Sequence, residues 1–204
     1  MKKTSFLTLE KAREIIKEYP TPFHLYDEAG IRANARAMKQ AFSWNPGFRE
    51  YFAVKATPNP YILKILMEEG CGVDCSSYTE LLLAEAVGAK GSDIMFSSNV
   101  TPELDMRTAY EMGAYINLDD VTHVDFLDRI CEGKVPETVC LRYNPGGSFS
   151  LGNTIMDMPR DAKYGMTEMQ MMGAITRLMA LGTKHFGIHA FRSPGRRGHS
   201  RFPV

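Results

Sequence analysis

The chain has 204 residues, of which 44% are hydrophobic and 24% are charged, so it can bury the core of one ordinary domain. Its 24 basic and 24 acidic side chains cancel, which excludes the strong net field that recruits nucleic acids or anionic membranes. No apolar run is as long as a membrane span, and the four cysteines form no CxxC pair, so we expect a cytoplasmic protein with reduced thiols.

The first predicted elements are two helices, over residues 8–18 and 27–42. After them, short apolar strands alternate with helices. Six strands are predicted, at EYFAVK, GVDC, DIMFSS, AYINL, ETVCLRYNP and HFGIHAF. The sixth strand follows a predicted helix near residues 167–181.

The helices between the strands have recognisable start signals. Asn59 followed by Pro60 predicts a capped helix start, and the segment from Ser77 to Glu80 predicts a capping box. Thr101-Pro102 begins another helix, and Asp119 or Asp120 is expected to cap the segment VTHVDFLDRIC.

Strands that alternate with helices at this spacing predict an α/β fold with a parallel sheet. Two architectures remain open from periodicity alone: an open doubly wound sheet and a (β/α)8 barrel of the TIM type. The first turn, KATPNP, lacks the G-x-G-x-x-G pattern of a dinucleotide-binding sheet, which favours the barrel. Six units correspond to an incomplete eight-unit barrel.

The segment 192–204, RSPGRRGHSRFPV, differs from the rest of the chain because it is rich in Arg, Gly and Pro and has no periodicity. We therefore predict a partial barrel domain over residues 1–191 and an atypical basic tail over 192–204, either disordered or non-native. A second interpretation of the tail is a nucleic-acid-binding segment.

Polar side chains follow the predicted strands at their carboxyl ends, where barrel active sites are built. Lys55 shares a strand face with Ala53 and Tyr51, and a partly desolvated lysine there can attack carbonyls to form a Schiff base. The same position recurs at Asp74, Arg142 and His189. Each also has an ordinary structural interpretation, as a rim side chain, a helix-capping anion or an ion-pair partner.

The segments YFAVKATPNP, GVDCSSYTELLLA, LRYNPG and KYGM together resemble the barrel domain of the pyridoxal-phosphate decarboxylases related to diaminopimelate and ornithine decarboxylases. The resemblance covers residues 20–191 and implies a barrel of the alanine-racemase type. It also implies that Lys55 carries pyridoxal 5'-phosphate, that Asp74 and Arg142 lie near this cofactor, and that His189 lies against its ring.

The function implied by this resemblance is decarboxylation of an amino acid, with meso-diaminopimelate, converted to L-lysine, as the expected substrate. The resemblance also implies a homodimer for the full-length protein, without nucleic acid, membrane or metal. The alternatives are decarboxylation of another basic amino acid or of carboxynorspermidine, or an inactive fragment that only binds the cofactor.

The resemblance has departures. The family often continues its sixth-strand histidine as H-x-G-S, with the serine on the cofactor phosphate, whereas this chain reads HAFRS. The family's Gly-rich phosphate loop, the acid on the pyridine nitrogen and an arginine on the phosphate come with strands seven and eight, and a C-terminal β domain follows. None of these is present in these 204 residues.

The cysteines and methionines predict packing rather than chemistry. Cys71 and Cys75 are expected to be small buried hydrophobic residues because no further metal ligands are near them in sequence. The methionines in and near one predicted helix are expected to pack in the core; they are Met166, Met169, Met171, Met172 and Met179.

Overall fold

The structure is a computed structural model that describes residues 5–144 and 164–190. The chain divides after Phe48 into two compact units. The first unit contains helices α1 (Leu9–Glu18) and α2 (Glu28–Ala41). Both helices are confirmed, and each begins after a side-chain cap, since the side chains of Thr8 and Asp27 accept hydrogen bonds from backbone N–H groups of the first turn.

The second unit contains the alternating elements predicted from the sequence. Its strands are β1 (Tyr51–Ala53), β2 (Gly72–Cys75), β3 (Ile94–Ser97), β4 (Tyr115–Leu118), β5 (Thr138–Tyr143) and β6 (His185–Ala190). Its helices are α3 (Pro60–Glu68), α4 (Tyr78–Ala86), α5 (Glu103–Glu111), α6 (His123–Ile130) and α7 (Glu168–Leu181). Within the described ranges, no helix is both long and apolar enough to span a membrane.

The six strands form one parallel sheet in the order β1-β2-β3-β4-β5-β6. In a doubly wound sheet the strand order reverses at a switch point, whereas in a barrel each new strand is added on the same side of the last. The sequential order therefore confirms the barrel-type α/β fold and rules out the doubly wound alternative.

One face of the sheet packs against the helices and forms the core. Val73 and Ile94 lie in register on adjacent strands, and Phe96 and Ile116 continue the row. The largest fully buried side chains of this core come from both layers: Leu63, Leu81, Ile94, Phe96, Met106, Ile116, Leu118, Leu127, Leu141 and Leu178. Because side chains alternate along a strand, the residues between the buried ones point to the opposite face.

Two local predictions need correction. Strand β1 ends at Ala53, and Lys55 lies in a 3₁₀ turn over Val54–Ala56 rather than at the end of the strand. The cap of α6 is Thr122, because Asp119 pairs with an arginine instead. The Asp120 carboxylate accepts hydrogen bonds from the backbone N–H and the hydroxyl of Thr122, the residue that precedes the helix.

The methionine prediction is wrong for three of its five residues. Met166 and Met171 are buried as expected. On the outer face of α7, however, the exposed fractions of Met169, Met172 and Met179 are 86%, 58% and 61%. Cys71 and Cys75 are buried, and the described ranges contain no group of three or more His, Cys, Asp or Glu residues that could hold a metal ion.

Helix α7 offers a test of local helix stability. The Thr167 hydroxyl accepts a hydrogen bond from the Gln170 N–H, and the Gln170 side chain accepts one from the Thr167 N–H. Replacing Thr167 with alanine should lower the free energy of unfolding by about 1 kcal/mol, because the first turn loses its cap. Urea denaturation followed by circular dichroism measures this loss, and the exposed mid-helix variant Thr176→Ala should leave stability within about 0.5 kcal/mol.

Strand β6 lies at the edge of the described sheet, where β5 is its partner on one side. Ile188 on this strand is in register with buried Leu141, yet 71% of its surface is exposed. The predicted tail over 192–204, including the Ser193 of HAFRS, lies outside the described residues, and its assignment remains a prediction.

Candidate active site

A row of polar side chains crosses the face of the sheet that lies opposite the helices, near the carboxyl ends of the strands. It runs over five neighbouring strands as Asp74, Ser97, Asn117, Arg142 and His189. In a barrel this face is the interior, and the carboxyl ends of the strands form its mouth. The row therefore lies where the sequence predicted a site.

Lys55 is presented at the same end of the sheet by the turn that links β1 to α3. Val54 beside it is fully buried, and its carbonyl oxygen accepts a hydrogen bond from the Thr57 N–H (3.1 Å). Asn59 then caps α3 by accepting from the Tyr61 N–H (3.0 Å). The turn is thus anchored on both sides, while the Lys55 side chain is exposed to solvent.

Asp74 forms the closest polar contact of the row. The Ser97 hydroxyl donates a hydrogen bond to Asp74 Oδ1 at 2.5 Å, which is in the range of charge-assisted O–H···O⁻ bonds. Burial raises the pKa of the Asp74 carboxyl, while the Ser97 hydrogen bond and the charge of Lys55 oppose that rise. The carboxylate of Asp74 and the amine of Lys55 are therefore electrostatic partners.

The amino end of α4 adds a second acid near Asp74. Ser77 caps the helix as predicted, through a hydrogen bond from the Glu80 N–H. The Glu80 carboxylate accepts hydrogen bonds from the backbone N–H and the hydroxyl of Ser76 and from the hydroxyl of Ser77. The backbone donor to Glu80 is therefore Ser76, whereas a capping box would use the N–H of Ser77. The charge of Glu80 contributes to the raised pKa of Asp74.

A buried ion pair occupies the other side of the mouth. Arg142 Nη1 lies 2.7 Å from Asp119 Oδ1, and the exposed side-chain fractions are 14% and 4%. The guanidinium carbon lies 5.1 Å from the ring centroid of Tyr164, which is a cation–π distance. The pair and the aromatic ring together fix the position of Arg142.

His189 lies beside this pair, in register with Arg142. Burial lowers the pKa of His189, the charge of Arg142 lowers it further, and the charge of Asp119 opposes both. The imidazole is therefore neutral at neutral pH. Its Nδ1 atom, like Asn117 Oδ1, is buried and has no hydrogen-bond partner within the described part of the chain.

The structure thus places three of the predicted residues on one face of the sheet and Lys55 on the turn at the same end, in two groups. Lys55 interacts with Asp74, and Arg142 aligns with His189. Ser97, Asn117 and the ion-pair acid Asp119 were not among the predicted site residues. Asn117 lies between apolar residues of β4, whereas Ser97 is the last residue of β3 and Asp119 directly follows β4, positions close to those of the predicted residues.

This arrangement can support the chemistry of an amine with a carbonyl compound. An exposed primary amine follows the strand position in register with a half-buried carboxylate, whose pKa its charge lowers, and a neutral imidazole in register with a guanidinium lies on the other side of the same sheet. The unpartnered Nδ1 and Oδ1 atoms are suited to a ligand that brings its own hydrogen-bonding groups, because buried polar atoms are usually paired.

Several known proteins are similar to this chain. Protein TabA of Pseudomonas amygdali pv. tabaci is 39% identical over 86% of this chain, and diaminopimelate decarboxylase of Thermoplasma acidophilum is 29% identical over 91%. These matches cover 40% and 44% of the relatives, so the chain spans less than half of their length. A crystal structure of diaminopimelate decarboxylase from M. jannaschi has the same fold, with a TM-score of 0.75, 23% identity, and coverage of 88% of this chain and 43% of that one.

The family model of the pyridoxal-dependent decarboxylases, pyridoxal-binding domain, matches residues 28–190. The match includes Lys55, Asp74, Arg142 and His189, and it ends where the described sheet ends. By this match, the chain belongs to the pyridoxal-dependent decarboxylase family.

Proposed function

We propose that this chain provides the cofactor-binding barrel of a pyridoxal-phosphate-dependent amino-acid decarboxylase. The observation that supports this most is the exposed amine of Lys55, held by an anchored turn at the barrel mouth beside the Asp74 carboxylate. Its place within a match to the pyridoxal-binding family model supports its assignment as the residue that joins the cofactor.

The residues of the site fit this cofactor. Lys55 would hold its aldehyde carbon, and the neutral imidazole of His189, whose buried Nδ1 has no hydrogen-bond partner among the described residues, would lie against the ring. Asp74 and Arg142 set the charge around these two groups. When bound, pyridoxal phosphate supplies a sink for the electron pair that remains on Cα after the carboxylate leaves.

The substrate that we propose is meso-diaminopimelate, converted to L-lysine. The segments LRYNPG and KYGM support this choice, and relatives named diaminopimelate decarboxylase match about nine-tenths of this chain. Other basic amino acids and carboxynorspermidine are the alternatives, as is a protein that binds the cofactor without catalysis.

By the same family argument, we propose that the whole protein is a homodimer. The expected cytoplasmic location remains a prediction from the composition.

Release of carbon dioxide tests the reaction. The 204-residue chain, supplied with pyridoxal phosphate, should release carbon dioxide from meso-diaminopimelate and form lysine, and ornithine should give no carbon dioxide. Release from ornithine but not from diaminopimelate would contradict the proposed substrate. Cofactor uptake without release from either would support the binding protein, and no uptake would overturn the proposed function.

A further inference from the structure

The hydrogen bond between Ser97 and Asp74 connects two adjacent strands directly beside Lys55. Asp74 is in register with Met95, so Ser97, two residues further along β3, reaches the carboxylate diagonally from the mouth side. A neutral residue of the adjacent strand thus contacts the Asp74 carboxylate.

We propose that Ser97 is a positioning residue that holds the Asp74 carboxylate beside Lys55. A half-buried carboxylate is unstable as an anion unless donors compensate for the water it has lost. The Ser97 hydroxyl is such a donor, and fixing Oδ1 also fixes the plane of the carboxylate. By the proposed function, on which this role rests, the anchored carboxylate keeps a negative charge at the end of the sheet where Lys55 would hold the cofactor, since Asp74 is in register with Ala53, two residues before Lys55.

The charges around Asp74 show why a neutral donor is needed there. Lys55 on the turn after β1 stabilises the carboxylate, and Glu80 on α4 destabilises it. These two charges have opposite effects on the pKa of Asp74, and burial raises that pKa in the same direction as Glu80 does. The hydrogen bond from Ser97 on β3 therefore shifts the balance towards the ionised form.

The neighbouring serine provides a matched control. Ser98 is 97% buried, and its hydroxyl donates to the Val100 carbonyl oxygen (3.1 Å) rather than to a carboxylate. Ser98→Ala removes the same hydroxyl from the next position, whereas Ser97→Ala removes the one on Asp74. The two variants separate a loss of charge stabilisation from a general loss of packing.

Titration of the Asp74 carboxyl carbon in the cofactor-free 204-residue chain, followed by ¹³C NMR, tests the inference. The variant Asp74→Asn identifies the signal. Ser97→Ala should raise the pKa of Asp74 by about one to two pH units, since hydrogen bonds to charged groups contribute about that much. Ser97→Thr, which keeps the hydroxyl, should restore the original value, and Ser98→Ala should leave it unchanged.

An unchanged Asp74 pKa in folded Ser97→Ala would overturn the inference, as would an equal rise in Ser98→Ala or no rescue by Ser97→Thr. Far-ultraviolet circular dichroism establishes that each variant is folded, and if Ser97→Ala is unfolded, Ser97→Cys, with its weaker donor, replaces it with the same expected direction. Because the titration uses no cofactor, a protein that fails to bind pyridoxal phosphate would contradict the proposed function and leave this result standing.

Discussion

Replacing Lys55 with alanine should abolish covalent capture of pyridoxal phosphate. In the unmodified chain, we expect the amine to condense with the cofactor aldehyde and lose water, which would give a carbon–nitrogen double bond that absorbs visible light. Lys55 is the residue expected to form it, because its amine is exposed at the carboxyl end of the sheet and its charge acts on the nearby Asp74 carboxyl. The expected change is therefore complete loss of the band.

Reduction with borohydride locates the bond. This reagent converts the double bond to a stable single bond, and mass spectrometry of the digested chain then identifies the labelled lysine. Lys64→Ala is the matched control, since Lys64 is an exposed lysine on the next helix, α3. The cofactor should label Lys55 in the control and no specific lysine in Lys55→Ala. Equal labelling of several surface lysines in both variants would contradict the assignment.

Replacing Arg142 with methionine should cause the largest loss of stability. Asp119 is 4% exposed and relies on Arg142, at 2.7 Å, for its ion pair. Removing the guanidinium leaves a buried carboxylate with an uncompensated charge, and such changes cost about 3–5 kcal/mol. Urea denaturation near neutral pH, followed by circular dichroism, measures the change in the free energy of unfolding.

The double variant Arg142→Met with Asp119→Leu separates the cost of the unpaired charge from the contribution of the pair. Replacing both partners with apolar side chains removes the uncompensated charge, so most of the lost stability should return. The pKa of His189 is a second readout. Because the charge of Arg142 lowers this pKa, loss of the arginine should raise it. A double variant as unstable as Arg142→Met would show that the arginine acts through packing instead.

The sequence predicted the alternating elements well because their signals are local. Each of the six strands is a short apolar segment between helices, and caps such as Asn59 and Ser77 mark helix starts within three or four residues. The exceptions follow from competition between local and distant partners. Aspartate is a common helix-capping residue, yet the carboxylate of Asp119 pairs with an arginine 23 residues away.

The site was harder to predict for the same reason. Strand ends located Lys55, Asp74, Arg142 and His189, because the carboxyl ends of parallel strands meet at one edge of a barrel. The partner of Asp74 is 23 residues away on the next strand, and neither residue type nor spacing identifies it. The 3₁₀ turn at Lys55 was also missed, because the apolar pattern of YFAV continues past the point where hydrogen bonding to β2 ends.

The direction of β6 limits what can extend the sheet. A hairpin after β6 would add an antiparallel strand. A further parallel strand, like those already in the sheet, needs a crossover connection of about a dozen residues or more. Right-handed crossovers place their helix on the face already covered by α3 to α7, where Ile188 is exposed. A polypeptide that adds a further parallel strand to this sheet must therefore also bring a helix. Burial of Ile188 would show that this helix has docked.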